Sequence, residues 1–228
     1  MSDPRVINFA CFVAGAAACL LVSDALNKKT GRNDGASAEG KDLSLFYGDE
    51  KELTTITDSR KFLPSDVYGE LVRKCVVCCV DIVVVRRDKE TGKKQCVLVE
   101  RASEPAKGVW WWPGGRLLKG ETFFDAAKRK TQQETGLKSI TPIQVLGVWN
   151  TFFPASAWDS QEEKGTQTVN AIVLVELGGD DNDIVLDAQS ERWRWIGLDP
   201  EEAKANSEDR YVIEALERLD TWNPSYKN

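Results

Sequence analysis

Residues 75–87 are almost continuously apolar and rich in Val and Ile, a composition that predicts a strand buried on both faces. Residues 88–94, with Thr91-Gly92 inside, read as a turn, and residues 95–101 as the returning strand. Residues 108–115, Gly-Val-Trp-Trp-Trp-Pro-Gly-Gly, form an aromatic-rich loop whose glycines and proline exclude a helix. Residues 122–134 have helical composition, and Gly136 is placed to cap that helix at its C-terminus. Further strands are predicted at residues 143–153, 169–177 and 193–196. A last helix over residues 208–222 would bury Tyr211, Val212, Ala215, Leu216 and Leu219 at helical spacing. A short helix over residues 64–73, with Ser65 as its N-cap, precedes the first strand. The order of elements predicts an α/β (α+β) sandwich, a mixed sheet flanked by helices. There is no internal repeat.

Ahead of this domain the pattern changes. Residues 6–22 are apolar except for Asn8, at the short limit for a membrane-spanning helix and slightly long for a signal-peptide core. Ser23 and Ala25 are small enough for cleavage after Ala25. Lys28, Lys29 and Arg32 follow the run while Arg5 alone precedes it, a bias that holds the following domain on the cytosolic side of a membrane. The chain also lacks an Asn-x-Ser/Thr sequon. Residues 1–27 are therefore expected to be an apolar helix serving as membrane anchor or targeting segment. Residues 28–62 are polar and read as a linker, and residues 63–228 as the folded domain.

Composition narrows the chemistry. With 42% hydrophobic and 29% charged residues, the 228-residue chain has an ordinary globular balance. A net charge of -6 argues against a nucleic-acid polymer as partner, but not against a small nucleotide held by a few local arginines. The absence of histidine excludes a Ser-His-Asp triad and the commonest zinc ligand. Six cysteines show no zinc-binding framework: Cys11 and Cys19 fall in the apolar run, and Cys75, Cys78, Cys79 and Cys96 in strands. They read as buried, reduced thiols, with Cys78 and Cys79 on opposite strand faces.

The informative stretch is Gly115-Arg-Leu-Leu-Lys-Gly-Glu121, then Arg129, then Gln133-Glu134-Thr135-Gly136-Leu137. Gly115, Glu121, Arg129, Glu134, Gly136 and Leu137, set after a Pro-Gly-Gly turn, resemble the Nudix box, G-x5-E-x7-R-E-U-x-E-E-x-G-U with U aliphatic. The resemblance implies a Nudix-type α/β/α sandwich and a divalent cation, Mg²⁺ or Mn²⁺, bridging helix carboxylates to a substrate diphosphate. Positions 130, 133 and 134 are i, i+3 and i+4 and so are expected to share one helix face. Here Lys130, Thr131 and Gln133 depart from the box, and Glu134 is the carboxylate retained. Glu121 and Arg129 read as an ion pair bracing the helix.

The run from Arg101 to Arg116 is similar to the same region of GDP-mannose mannosyl hydrolases, a Nudix subgroup that also keeps only the final Glu. The similarity extends over residues 63–222, through Val80-Asp81-Ile82 and the loop Asp187-Ala188-Gln189-Ser190-Glu191-Arg192-Trp193-Arg194-Trp195. It implies a metal site made by the Gly114 carbonyl, Glu134 and Gln189, and a diphosphate held by Arg101 and Arg116. It also implies a homodimer. Where the subgroup places a histidine base, this chain has Ser190, which leaves the adjacent Glu191 as the candidate base. The expected activity is hydrolysis of a GDP- or ADP-linked sugar. Lys130 and Ser190 motivate an alternative, a nucleotide-binding sensor module, and a conventional pyrophosphatase is a third reading.

Overall fold

The computed structural model describes residues 63–158, 165–179 and 183–227, all of them inside the unit Glu39–Asn228. The apolar run and the linker lie outside the described residues. Among the described residues no helix is long and apolar enough to cross a membrane.

The elements in order are α1 (Ser65–Lys74), β1 (Val77–Arg87), β2 (Lys94–Arg101), β3 (Trp110–Trp111), β4 (Gly114–Arg116), α2 (Phe123–Thr135), β5 (Ile140–Phe153), β6 (Thr166–Leu177), β7 (Ser190–Gly197), α3 (Pro200–Ala205) and α4 (Arg210–Trp222), followed by a 3₁₀ turn, Pro224–Lys227. One mixed sheet runs β3-β2-β1-β6-β5, with β4 added against β1 and β7 against β2. β1 and β6 are parallel, and the other pairings are antiparallel.

The valine-rich β1 is central because both of its faces need cover. Val83 and Val85 pack with Val212, Ala215, Leu216 and Leu219 of α4 on one face. Val80, Ile82 and Val84 pack with Ala126 and Ala127 of α2, and with Leu137, on the other. Each large aliphatic side chain fully buried in these layers contributes roughly 1.5–3 kcal/mol relative to exposure. The result is the expected mixed sheet between helices.

Local chemistry sets the boundaries that matter for the site. Thr122 caps α2: its hydroxyl accepts from Asp125 N at 3.1 Å while the Asp125 carboxylate accepts from Thr122 N at 3.2 Å, a complete capping box. Gly136 ends the helix at φ 74°, where a side chain is strained. Ser65, expected as an N-cap, is instead the first residue of α1, and Pro64 holds the cap position without a side-chain bond. The helix α3 was not expected; Asp199 caps it and Pro200 opens it. Cys75 and Cys78 are exposed, against the expectation of buried thiols, while Cys79 and Cys96 are buried; all four are free.

β1 and β2 pair only at their turn-proximal ends, Val85↔Cys96 to Arg87↔Lys94. Beyond that they part. The Gly-Gly turn of β4 occupies β1 from Cys79 to Asp81, while β3 and β7 take up β2. The candidate site is built where the two strands separate.

Candidate active site

The turn at Gly114-Gly115 is pressed against β1. A Cβ on Gly114 would stand 2.3 Å from Asp81 Oδ1 and 2.4 Å from the Val80 carbonyl, so a side chain there has no room. Pro113 O accepts from Ile82 N at 2.8 Å and Leu117 N donates to Cys78 O at 2.9 Å, extending the β1–β4 ladder on both sides. These bonds hold the Gly114 backbone over the buried face of α2.

From that face Glu134 reaches the turn. It is 5% exposed, and its Oε2 accepts from Gly114 N at 2.9 Å. Its Oε1 is ion-paired with the ammonium of Lys130, one helical turn back and 7% exposed. Burial raises the Glu134 pKa; Lys130 and the Gly114 N–H oppose that rise, and Asp187 adds to it. Gln133 does not share this face. It is exposed and accepts from Arg129 Nη1 at 3.1 Å, because a three-residue step carries it around the helix toward Arg129 rather than toward Lys130.

Glu121 and Arg129 form a two-point pair, Nε–Oε1 at 2.5 Å and Nη2–Oε2 at 2.8 Å. Glu121 also accepts from Leu118 N at 2.9 Å, and Arg129 Nη2 donates to Arg116 O at 3.0 Å. The pair thereby ties α2 to the loop that follows β4.

The remaining residues expected from the sequence sit around the turn. Arg101, half-buried at the end of β2, donates from Nε to Pro105 O at 2.7 Å. Its charge lowers the pKa of Asp81. Arg116 lies 4.6 Å over the Tyr68 ring, and its charge partly offsets the burial that raises the tyrosine's pKa. Gln189 is exposed; its N–H donates to Asp187 Oδ1 at 2.9 Å and its carbonyl accepts from Ala102 N at 2.9 Å, which anchors the loop beside Arg101. Glu191 is exposed, one position beyond half-buried Ser190 on β7, so the two side chains leave opposite faces of the strand.

Three residues enter that sequence reasoning had not assigned to the site. Asp81 is 4% exposed in the middle of β1, and its Oδ2 accepts from the Asn170 amide and, at 2.7 Å, from the Tyr211 hydroxyl. Burial pushes its carboxyl up to about 6 against those two hydrogen bonds. Asn170 in turn accepts from Thr168, which is bonded to Thr151, so a buried polar row crosses β1, β6 and β5. Asp187 is the third: Val185 N donates to Thr135 O at 2.9 Å, laying the loop over the end of α2 and bringing the Asp187 charge near Glu134. The signal for Asp81 was present, one acid among valines in a strand with both faces covered. Cys79, beside it and opposite Arg116, is pushed up to about 12 by burial and stays a thiol.

A hard divalent cation suits oxygen donors, and those available here are the Glu134 carboxylate, the Gly114 carbonyl and the side chains of the 187–189 loop. Among the described residues no group of three or more His, Cys, Asp or Glu forms a closed cage. The donor chemistry fits a cation that completes its shell with ligands from outside the protein.

The chain is 29% identical over 128 residues, 56% of its length and 74% of the relative's, to the low-salt glycan biosynthesis protein Agl8 of Haloferax volcanii. It is 26% identical over 115 residues to the 8-oxo-dGDP phosphatase NUDT18 of Mus musculus, covering 50% of this chain but only 30% of that protein. Among solved structures, the C. elegans Ap4A hydrolase binary complex matches at TM-score 0.47 and 19% identity, over 66% of this chain and 99% of that one. The NUDIX domain profile matches residues 79–216, from β1 through the Gly-Gly turn, α2 and the 187–189 loop into α4. That match takes in more than half of the chain, which therefore belongs to the Nudix hydrolase family.

Proposed function

We propose that the chain is a divalent-metal-dependent hydrolase of nucleoside diphosphate-linked compounds, with a GDP- or ADP-linked sugar as substrate. The observation that carries this reading is Glu134: the box carboxylate this chain retains is buried, bonded to the Gly114 N–H, and set beside the loop that holds Gln189. The similarity of residues 101–116 to mannosyl hydrolases supports a sugar-linked substrate, as does a relative named for glycan biosynthesis. The mouse relative, named as an 8-oxo-dGDP phosphatase, keeps the nucleoside diphosphate common to both readings.

In this reading Gly114 O, Glu134 and Gln189 hold Mg²⁺ or Mn²⁺. When bound, the cation supplies positive charge to the diphosphate. Arg101 and Arg116 supply the rest, each guanidinium offering paired N–H donors to phosphate oxygens. Arg101 spends one of five donors on Pro105 O, which fixes the plane of the group without exhausting it. Arg116 rests on the Tyr68 ring and is oriented by it. Glu191 is exposed on the strand face opposite Ser190, so it accepts the proton of the attacking water only with its loop turned inward. Asp81 sets the floor under Gly114 and stays in place through its bonds to Tyr211 and Asn170.

The test is a product screen of the full chain with GDP- and ADP-sugars, ADP-ribose and nucleoside triphosphates, with and without Mg²⁺. Free sugar plus nucleoside diphosphate is the expected outcome, and Glu134→Gln should lower turnover by about 10²-fold or more. Unchanged turnover in that variant would sink the assignment of Glu134. The Lys130–Glu134 pair favours a second reading, a module that binds nucleotide without cleaving it; nucleotide binding with no product in any arm would establish that reading instead.

A further inference from the structure

Lys130 fills the space beneath the Gly-Gly turn. A Cβ on Gly115 would stand 2.8 Å from Lys130 Cε and 3.0 Å from its Nζ, so the seat of the ammonium is the volume that Gly115 leaves open. From that seat the ammonium pairs with Glu134 Oε1, while Gly114 N–H holds Oε2. Both oxygens of the retained box carboxylate are therefore engaged, one of them by a full positive charge. A divalent cation drawing on Glu134 would meet that charge at close range and with little water between them, where like charges repel strongly.

We propose that Lys130 is a displaceable counter-charge that makes cation binding at Glu134 conditional on a nucleoside diphosphate. The entering diphosphate offers the ammonium a new set of oxygens; Lys130 moves from Glu134 to phosphate, and Glu134 becomes available to the cation. The inference rests on the reading of Glu134 as a cation ligand given above. Lysine suits the role, since its ammonium is a point charge with rotatable donors on a flexible four-carbon stem. The position suits it too, because Lys130 lies directly beneath Gly115, the turn residue that Arg116 follows on β4. By reciprocity, nucleotide tightens cation binding by the same factor as cation tightens nucleotide binding.

The experiment is Mn²⁺ binding to the full chain by electron paramagnetic resonance, without nucleotide and with GDP or ADP added. Native chain is compared with Lys130→Met and Lys130→Gln; the second keeps a neutral hydrogen-bond donor for Glu134 should the first not fold. Without nucleotide, the variants are expected to bind Mn²⁺ about 10-fold or more tightly than the native chain, within the roughly 5–150-fold range of ordinary site coupling. Adding Glu134→Gln to Lys130→Gln should abolish the gained site. Native-like or weaker Mn²⁺ affinity in a folded Lys130→Gln chain overturns the inference and leaves the hydrolase reading standing. Failure of every chain to bind Mn²⁺, with GDP or ADP present as well as absent, overturns the reading of Glu134 itself.

Discussion

Arg129 and Lys130 are neighbours on α2, each paired with a carboxylate, yet the two pairs are built differently. Arg129 meets Glu121 at two points, and its guanidinium also bonds the Gln133 side chain and the Arg116 carbonyl. Lys130 meets Glu134 with one ammonium, inside a space left by a missing side chain. A planar fork with several fixed partners holds one geometry, whereas a single charge on a flexible stem holds a position it can leave. The first pair therefore ties helix to loop at several points, and the second sets a single movable charge against Glu134.

Breaking the fixed pair should have the largest effect on stability. Arg129→Ala takes the guanidinium away from Glu121, whose side chain is 3% exposed, and is expected to cost about 3–5 kcal/mol in denaturant unfolding. A loss below about 1 kcal/mol would mean the pair behaves as a surface contact and would erase the contrast.

Asp81 sharpens the comparison, being a buried carboxylate held by neutral donors. Burial pushes its carboxyl up to about 6, above the ordinary aspartate value of 3.8, so the native state binds the extra proton between those values. Its contribution to stability is then fully present below about 3.8 and lost as pH rises through 6. Stability of the native chain relative to Asp81→Asn should fall across that window by on the order of 2–3 kcal/mol. A difference independent of pH would show that Asp81 titrates normally.

The smallest effect is expected from removing both charges of the movable pair. Lys130→Met with Glu134→Gln should stay within about 1.5 kcal/mol of the native chain, since paired buried charges are often replaced at little net cost. Lys130→Met alone should be less stable than the double variant, because it leaves Glu134 buried without its cation. Equal stability of the single and double variants, read from denaturant midpoints, would show that the pair contributes nothing and that the two ion pairs of α2 differ in importance as well as in form.

The sequence made the secondary structure legible wherever a local pattern dominated. The valine run of β1 required cover on both faces, and the helical spacing of Tyr211, Val212, Ala215, Leu216 and Leu219 matched the buried face of α4. Glycine spacing and helical composition located the turn and α2, with Gly136 as its C-cap. What escaped was decided by register and by partners far along the chain. Asp81 and Asn170 stand on neighbouring strands two residues apart in register, and Tyr211 comes from the last helix, so no window of sequence contains their bonds. The rotation of Gln133 away from Glu134 was hidden for a different reason. Heptad-like spacing places three residues on one broad face, but the strip that is buried is narrower than that face. Beyond Thr135, the loop carrying Asp187 owes its position to backbone bonds from Val185 to the helix end and from Ala102 to Gln189, which composition does not announce.

The polar row from Thr151 through Thr168, Asn170 and Asp81 to Tyr211 also has a kinetic meaning. Its members come from β5, β6, β1 and α4, and the bond from Tyr211 to Asp81 spans 130 positions. The β5–β6 hairpin closes the part from Thr151 to Asn170, but the bonds to Asp81 need β1 and the last helix, and closing such distant partners is slow. The floor beneath the Gly-Gly turn therefore sets only after the last helix has docked, and a nascent chain still lacking α4 would already carry every side chain expected to bind the diphosphate while having nothing firm to mount them on.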